Sequence, residues 1–510
     1  MNSAATHTVE TRAGRLAGCE KDGILRFCGI PYAKPPVGAL RWRAPEPAEP
    51  WTGLREAQRF GPIAPQAPSA LETMMGAAGA EQSEDCLYLN VWTPSLTGKR
   101  PVMVWLHGGA FVFGAGSQAL YNGKHLAKRG AVVVTVNYRL GALGFANLRD
   151  ASGGALPGTG AEGLADQILA LRWVKANIAA FGGNPDNIVL FGESAGAMST
   201  AALLASDAAR GLFHKAIAQS GAAHIGHDRE RSAKVAHALL KKLGLSKADA
   251  ARALELPRAA IVNAQTALLA DTRLGRGEKL GQLPFQPTID GEILTAKPIE
   301  AVRAGAARGI PLLAGTTREE WRLFTAANPA TRMMRARTFA DRIGKLAGPG
   351  HAEAMLEAYG EGSAFDRFNA MMTDKVFAIP AIRLLEAQGA HAPAFAYRFD
   401  WASRLLGGIM GSCHGLDIGF TFGTHNLKLA SAFFGKGRDA DALCEAMQQS
   451  WIDFAATGNP ATGLTGPWPR YDTDSRATMM FGDGAPHLAR DPAARRRQAW
   501  DPIPERRLGP

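Results

Sequence analysis

"NIVLFGESAGAMS", residues 187–199, sets one serine between two glycines, at the point where an apolar run gives way to small residues. No second Gly-x-Ser-x-Gly occurs in the 510 residues. "IVLF" (188–191) reads as a buried strand and "AGAMSTAALLA" (195–205) as a helix, so Ser194 falls on the turn between them. A chain that turns this sharply strains the residue at its apex, and bulky neighbours two positions to either side would collide there. Gly192 and Gly196 remove those side chains. The hydroxyl is then held at the carboxyl end of a sheet, where open α/β sheets place their ligands. The helix N-terminus behind it favours negative charge.

The surrounding chain repeats the same alternation. "VMVWL" (102–106), "AVVVTVNY" (131–138), "KAIAQS" (215–220), "IPLLAG" (310–315) and "PAFAYRF" (393–399) predict further strands. Apolar residues at 164, 168, 171, 174 and 178 lie on one face of a helix, and "FGGNPDN" (181–187) reads as a turn. The expected fold is α/β: a large, mostly parallel central sheet with helices on both faces. Residues 228–285 and 325–392, rich in Ala, Leu and Arg, are expected to be helical insertions that cap the sheet. No Pro/Ser-rich linker isolates them, so residues 1–490 are expected to form one domain, followed by a basic tail over 491–510. The stretch 61–83 has many small residues and weak periodicity, and reads as a mobile surface loop.

Composition narrows the function. With 46% hydrophobic and 20% charged residues the chain can bury a sizeable core. No run of about 18 apolar residues predicts a membrane span, and the first residues lack the pattern of a secretory signal. A cytoplasmic location is expected. Five cysteines without a Cys-x-x-Cys pair predict neither a disulfide framework nor a metal site. The net charge of +11 comes partly from Arg495, Arg496 and Arg497. No basic stripe with stacking aromatics accompanies it, so it reads as a solvated surface rather than a nucleic-acid site.

A serine that accepts an acyl group needs donors for the oxyanion. "WLHGGAF" (105–111) follows a predicted strand, and there Gly108 and Gly109 can aim backbone N–H groups into a site, with the N–H of Ala195 as a third. These motifs, with "QSEDCLYLNVWTP" (82–94), "FGGNPDNIVLFGESAGA" (181–197), "FCGIPYAKPPVGALRW" (27–42) and "NYRLGALGF" (137–145), resemble the type-B carboxylesterase/cholinesterase family of α/β-hydrolases. Bacterial para-nitrobenzyl-esterase-like enzymes are the nearest subgroup. The likeness runs from about residue 8 to 485.

The resemblance implies a cofactor-free and metal-free serine hydrolase of carboxylic esters, with a Ser–Glu–His triad. Carried onto this chain, the triad is Ser194, Glu320 in "LLAGTTREEW" and His414 in "GSCHGLDIGFTFG". Glu193 resembles an acidic residue near the site's floor, and Ser220 a buried hydroxyl that supports it. Arg41 with Glu84, and Arg139 with Asp166, resemble internal ion pairs of the family. Ala64 stands where many relatives have the disulfide partner of Cys86, so Cys86 is expected to be free. Trp321 replaces a common glycine and is expected to line the pocket. Phe111 and Phe113 suggest an apolar pocket for short to medium acyl or aromatic esters. Aromatics that read quaternary ammonium groups have no counterpart in 66–83, which disfavours choline esters. The expected partner is a small-molecule ester, with no nucleic acid and no membrane, and the protein is expected to be a monomer. The same machinery would serve amides or aryl carbamates. Adhesion members of the fold, which lack the serine or histidine, are the remote alternative.

Overall fold

A computed structural model describes residues 6–68, 79–273, 280–348, 350–360, 362–428 and 430–510. Its contacts gather the chain into two units, Met1–Ile217 with Ile225–Ala301, and Ala218–His224 with Val302–Pro510. The first unit carries β1 (Thr6–Thr11), β2 (Gly14–Lys21), β3 (Ile24–Pro31), β4 (Leu54–Glu56), β5 (Tyr88–Thr93), β6 (Arg100–Leu106), β7 (Val132–Val136) and β8 (Gly183–Glu193). They lie in the order β1-β2-β3-β5-β7-β6-β8, with β4 beside β2. The chain passes between the units within β9 (Lys215–Gln219). The second unit carries β10 (Leu312–Thr317), β11 (Ala394–Phe399), β12 (Ala477–Phe481) and β13 (His487–Arg490), in that order.

β6 pairs in parallel with both β7 and β8, and β11 with both β10 and β12. Every residue of β7 is buried, as expected of a parallel strand covered on both faces. The flanks differ: β1, β2, β3, β5 and β7 pair antiparallel in succession, as do β12 and β13. Asp22 and Gly23, both at positive φ, make the tight turn between β2 and β3, a hairpin signature that apolar periodicity does not detect. The expected turn at 181–187 is also revised, because β8 begins at Gly183. Between the pairs Arg100–Gly183 and Val102–Ile188 the register shifts, so 184–187 bulge out of a continuous strand.

The helix Glu162–Asn177 buries Leu164, Ile168, Leu171 and Val174 on one face. The 228–285 stretch forms the helices Arg229–Lys242 and Arg258–Arg273, and the 325–392 stretch includes Ala336–Ala347, Ala364–Thr373 and Ile379–Gly389. Residues 491–510 are not a loose tail. They form the helix Ala494–Trp500 and a short turn at Glu505–Arg507, with Trp500 and Ile503 buried. Part of the 61–83 stretch, 69–78, lies outside the described residues. Its described ends do not form a surface loop: Ile63 bridges to Gln82, and Ile63, Ala64 and Gln66 are buried.

Both ion pairs form inside the first unit. Arg41 holds Glu84 through two hydrogen bonds of 2.6 and 2.7 Å, and Arg139 holds the fully buried Asp166 through bonds of 2.7 and 2.8 Å. Removing one partner of such a pair strands a buried charge. All five cysteines are buried, and Cys19, Cys28, Cys86 and Cys413 are free thiols.

Candidate active site

In the first unit, β8 delivers Gly192 and Glu193 to the turn, and the helix Ala195–Leu204 begins one residue after Ser194. Ser194 has φ 55° and ψ −123°, a region that L-residues rarely occupy. Its neighbours explain the glycines. A Cβ on Gly192 would lie 2.5 Å from the carbonyl carbon of Gly196, and one on Gly196 only 1.9 Å from the carbonyl oxygen of Leu106. Gly196→Ala is therefore expected to destabilise the fold by about 3 kcal/mol or more, read as a lower urea midpoint. A midpoint equal to the parent's would refute the elbow's close packing.

The chain leaving β6 passes directly beside that elbow. A Cβ on Gly108 would stand 2.7 Å from Glu193 Oε2 and 3.2 Å from Ser194 Cβ. Gly109, at φ 115°, has Phe113's carbonyl oxygen 1.9 Å from where a Cβ would sit. The turn closes on the carbonyl of Gly109, which accepts from the N–H groups of Val112 (2.9 Å) and Phe113 (3.0 Å). Among the described residues none accepts a hydrogen bond from the N–H of Gly108, Gly109 or Ala195. Backbone N–H groups of this kind are able to bind an anion.

His107 is a structural part of the turn. Its ring stacks on Tyr138 with centroids 4.4 Å apart, and its Nδ1 lies 2.8 Å from the carbonyl oxygen of Gly108. Burial pushes its imidazole down to about 4, which keeps it neutral at pH 7. The Gln66 amide brackets Gly114, donating to its carbonyl (3.1 Å) and accepting from its N–H (2.8 Å). Glu193 is buried. Phe111 is fully buried, edge-on to Phe145, so it belongs to the core; Phe113 keeps partial exposure.

In the second unit, β10 ends just before two adjacent carboxylates. Glu320 is fully buried. Its Oε1 accepts the N–H of Thr317 (2.7 Å), and its Oε2 lies 2.6 Å from His414 Nδ1, a distance suited to Nδ1–H donating. Glu319 turns the other way. It meets Arg322 at 2.9 Å and Arg318 at 3.2 Å, and accepts the N–H of Ser412 at 3.0 Å. Only Glu320 reaches the imidazole.

Two aromatic rings flank His414. Phe377 stands 4.7 Å and Phe324 5.4 Å from it between ring centroids, and Trp321 lies 4.9 Å from Phe324. Phe324 remains 49% exposed, so this apolar cluster opens to solvent. Ser220, at φ 52°, is fully buried and donates its N–H to Gly315 (2.9 Å), while its hydroxyl has no hydrogen-bond partner among the described residues. Asp417, three residues past His414, accepts from Gln219 and Tyr397, both at 2.9 Å. Burial pushes its carboxyl up to about 6, with the charge of Glu320 acting in the same direction.

Sequence reading missed Phe324, Phe377, Gln66 and Asp417. Phe324 follows Glu320 at helical spacing, and Asp417 lies within the His414 motif, so both carried a local signal. Phe377 comes from a separate helical stretch and carried none.

A sharp strand–turn–helix around one serine, on a mostly parallel sheet with helices, defines an α/β-hydrolase. Comparison with known proteins makes the class specific. The carboxylesterase family model matches residues 5–500, and the chain belongs to that family. It is 41% identical over 498 residues to the para-nitrobenzyl esterase of Bacillus subtilis strain 168, covering 97% of this chain and 98% of that one. It is 36% identical to the phenmedipham hydrolase of Pseudarthrobacter oxydans, over 94% of this chain and 96% of the relative. Among solved structures, a thermophilic PNB esterase superposes with a TM-score of 0.87 at 38% identity, covering 97% of this chain and 100% of its own. A Geobacillus stearothermophilus carboxylesterase gives 0.86 at 39%, with the same coverage. The protein is a carboxylic ester hydrolase. No helix among the described residues is long and apolar enough to cross a membrane.

Proposed function

We propose that Ser194 is the nucleophile of a Ser–Glu–His triad completed by Glu320 and His414, and that the enzyme acts on short to medium acyl or aromatic esters. The elbow at Ser194 carries this reading: it holds a serine at φ 55° on the turn from strand to helix, between two glycines. With His414 Nδ1 engaged by Glu320, Nε2 is the nitrogen left for proton transfer. Ser194 Oγ attacks the ester carbonyl as its proton passes to His414 Nε2. The N–H groups of Gly108, Gly109 and Ala195 receive the oxyanion, each donor worth about 3 kcal/mol in comparable sites. The tetrahedral intermediate collapses and expels the alcohol, which takes the proton from His414. Water repeats the sequence on the acyl-enzyme and releases the acid. Glu320 holds the tautomer and stabilises the imidazolium throughout.

The rings of Phe324 and Phe377 beside His414, with Trp321 packed on Phe324, support apolar and aromatic substrates. A panel of para-nitrophenyl esters from acetate to palmitate, with an aryl carbamate and an anilide, tests the preference. The expected order places short and medium esters above palmitate and above the two nitrogen-containing substrates. A kcat/KM on palmitate greater than on butyrate would overturn the chain-length assignment, and a preference for the carbamate or anilide would transfer the natural substrate to those classes. We also take the enzyme to be a cytoplasmic monomer. The free thiols of Cys19, Cys28, Cys86 and Cys413 support the reducing compartment, and size-exclusion chromatography tests the monomer.

A further inference from the structure

The arginine run at 495–497 has a use that net charge does not convey. Arg496 Nε lies 3.3 Å from Asp374 Oδ2, a carboxylate only 2% exposed. The same oxygen accepts the hydroxyl of Tyr359 (2.8 Å), and that hydroxyl accepts the indole N–H of the fully buried Trp500 (2.7 Å). A second attachment follows: the N–H of Gly509 donates to the carbonyl of Lys375 (3.0 Å). The segment that makes these bonds is itself anchored. Arg383 donates to the carbonyls of Trp500 (2.9 Å) and Ile503 (3.0 Å), and Glu505 is held by Arg303 (2.7 Å), Arg383 (3.2 Å) and His224.

Asp374 and Lys375 open a five-residue π-helical turn, Asp374–Ala378. Such turns are rare and occur frequently at functional sites. Two residues further along the turn, Phe377 lies against the imidazole of His414. A buried ion pair is a weak source of stability, because desolvation offsets most of its attraction. Fixing the geometry of the turn is a role that suits it better.

We propose that the segment Asp491–Pro510 positions His414, acting through the π-helical turn and the ring of Phe377. Arg496, Tyr359 and Trp500 are positioning residues, since none of them touches His414 in the structure. The proposal rests on His414 being the triad base. A displacement of about 1 Å in a catalytic group can lower turnover about a hundredfold, so a loosened ring beside the imidazole has a measurable effect.

A double-mutant cycle with para-nitrophenyl butyrate separates this role from general stability. Phe377→Ala is expected to lower kcat about tenfold and, since its ring also faces apolar substrates, to raise KM, whereas Arg496→Ala should lower kcat about fivefold with KM within about twofold. Arg496→Lys, which keeps the cation, should recover most of the loss. The Phe377→Ala/Arg496→Ala pair should match Phe377→Ala alone, because the segment then has no ring through which to act. Parental kcat in Arg496→Ala, or a double variant whose loss is the product of the two single losses, overturns the proposal. If Arg496→Ala does not fold, Tyr359→Phe, which removes one hydroxyl from the same network, replaces it in the cycle with the same expectations. His414→Gln isolates the underlying assignment. Near-parental activity in that variant removes the base itself, whereas an inactive His414→Gln beside a parental Arg496→Ala removes only the role of the segment.

Discussion

Ser194→Ala is expected to lower kcat on a short-chain ester by about 10⁶-fold, the loss typical of a triad nucleophile. No other group in the elbow can replace its oxygen as an attacking atom. Its neighbours there are Gly192, Glu193, Ala195 and Gly196, and Glu193 is a buried carboxylate. The substitution also isolates chemistry from stability. Alanine keeps a Cβ at φ 55°, so the backbone strain at this position is the same in both proteins. The unfolding free energy from urea titration should therefore stay within about 0.5 kcal/mol of the parent's. A serine-directed organophosphate should label the parent once per chain and leave the variant unlabelled. Residual activity above a few per cent, with contamination excluded, would move the nucleophile to another residue.

What sequence could and could not reveal follows from the range of each interaction. The elbow was legible because its demands are local: Gly192 and Gly196 lie two residues either side of Ser194, and the clash they avoid involves that turn and the end of β6. The parallel strands were legible because complete burial leaves a continuous apolar run, as in β7. β2 was not, since its buried run is only Leu16, Ala17, Gly18 and Cys19, and Ala and Gly are depleted in strands where the Val of β7 is enriched. The ring cluster and the role of Arg496 depend on partners far away in the chain. Arg496 looks solvated until the buried Asp374 is found opposite it, whereas Arg495 does stay exposed, as does its partner Glu357. Phe111 shows the reverse error, as an aromatic beside the oxyanion turn that faces Phe145 in the core instead of a pocket.

The two carboxylates after β10 provide the second large effect. Composition cannot separate Glu319 from Glu320, because both follow the same strand and both grip the loop that carries His414. Glu319 does so through the backbone of Ser412, exchanging bonds of 2.8 and 3.0 Å with it. Glu320 does so through the imidazole itself, at 2.6 Å. An amide at position 320 preserves the shape but cannot stabilise the imidazolium, and its NH₂ group invites the wrong tautomer of His414. The equivalent change in the serine-protease template costs about 10⁴ in kcat. Glu320→Gln is accordingly expected to lose about 10² to 10⁴ in kcat with KM little changed. Glu319→Gln should leave kcat near the parent and instead cost about 1 kcal/mol of stability, through weakened contacts to Arg322 and Arg318. The test is kcat for both variants on one short-chain ester, beside their urea midpoints. A greater loss of kcat in Glu319→Gln than in Glu320→Gln would show that the 2.6 Å contact is not the one that supports proton transfer, and would place the triad acid at Glu319.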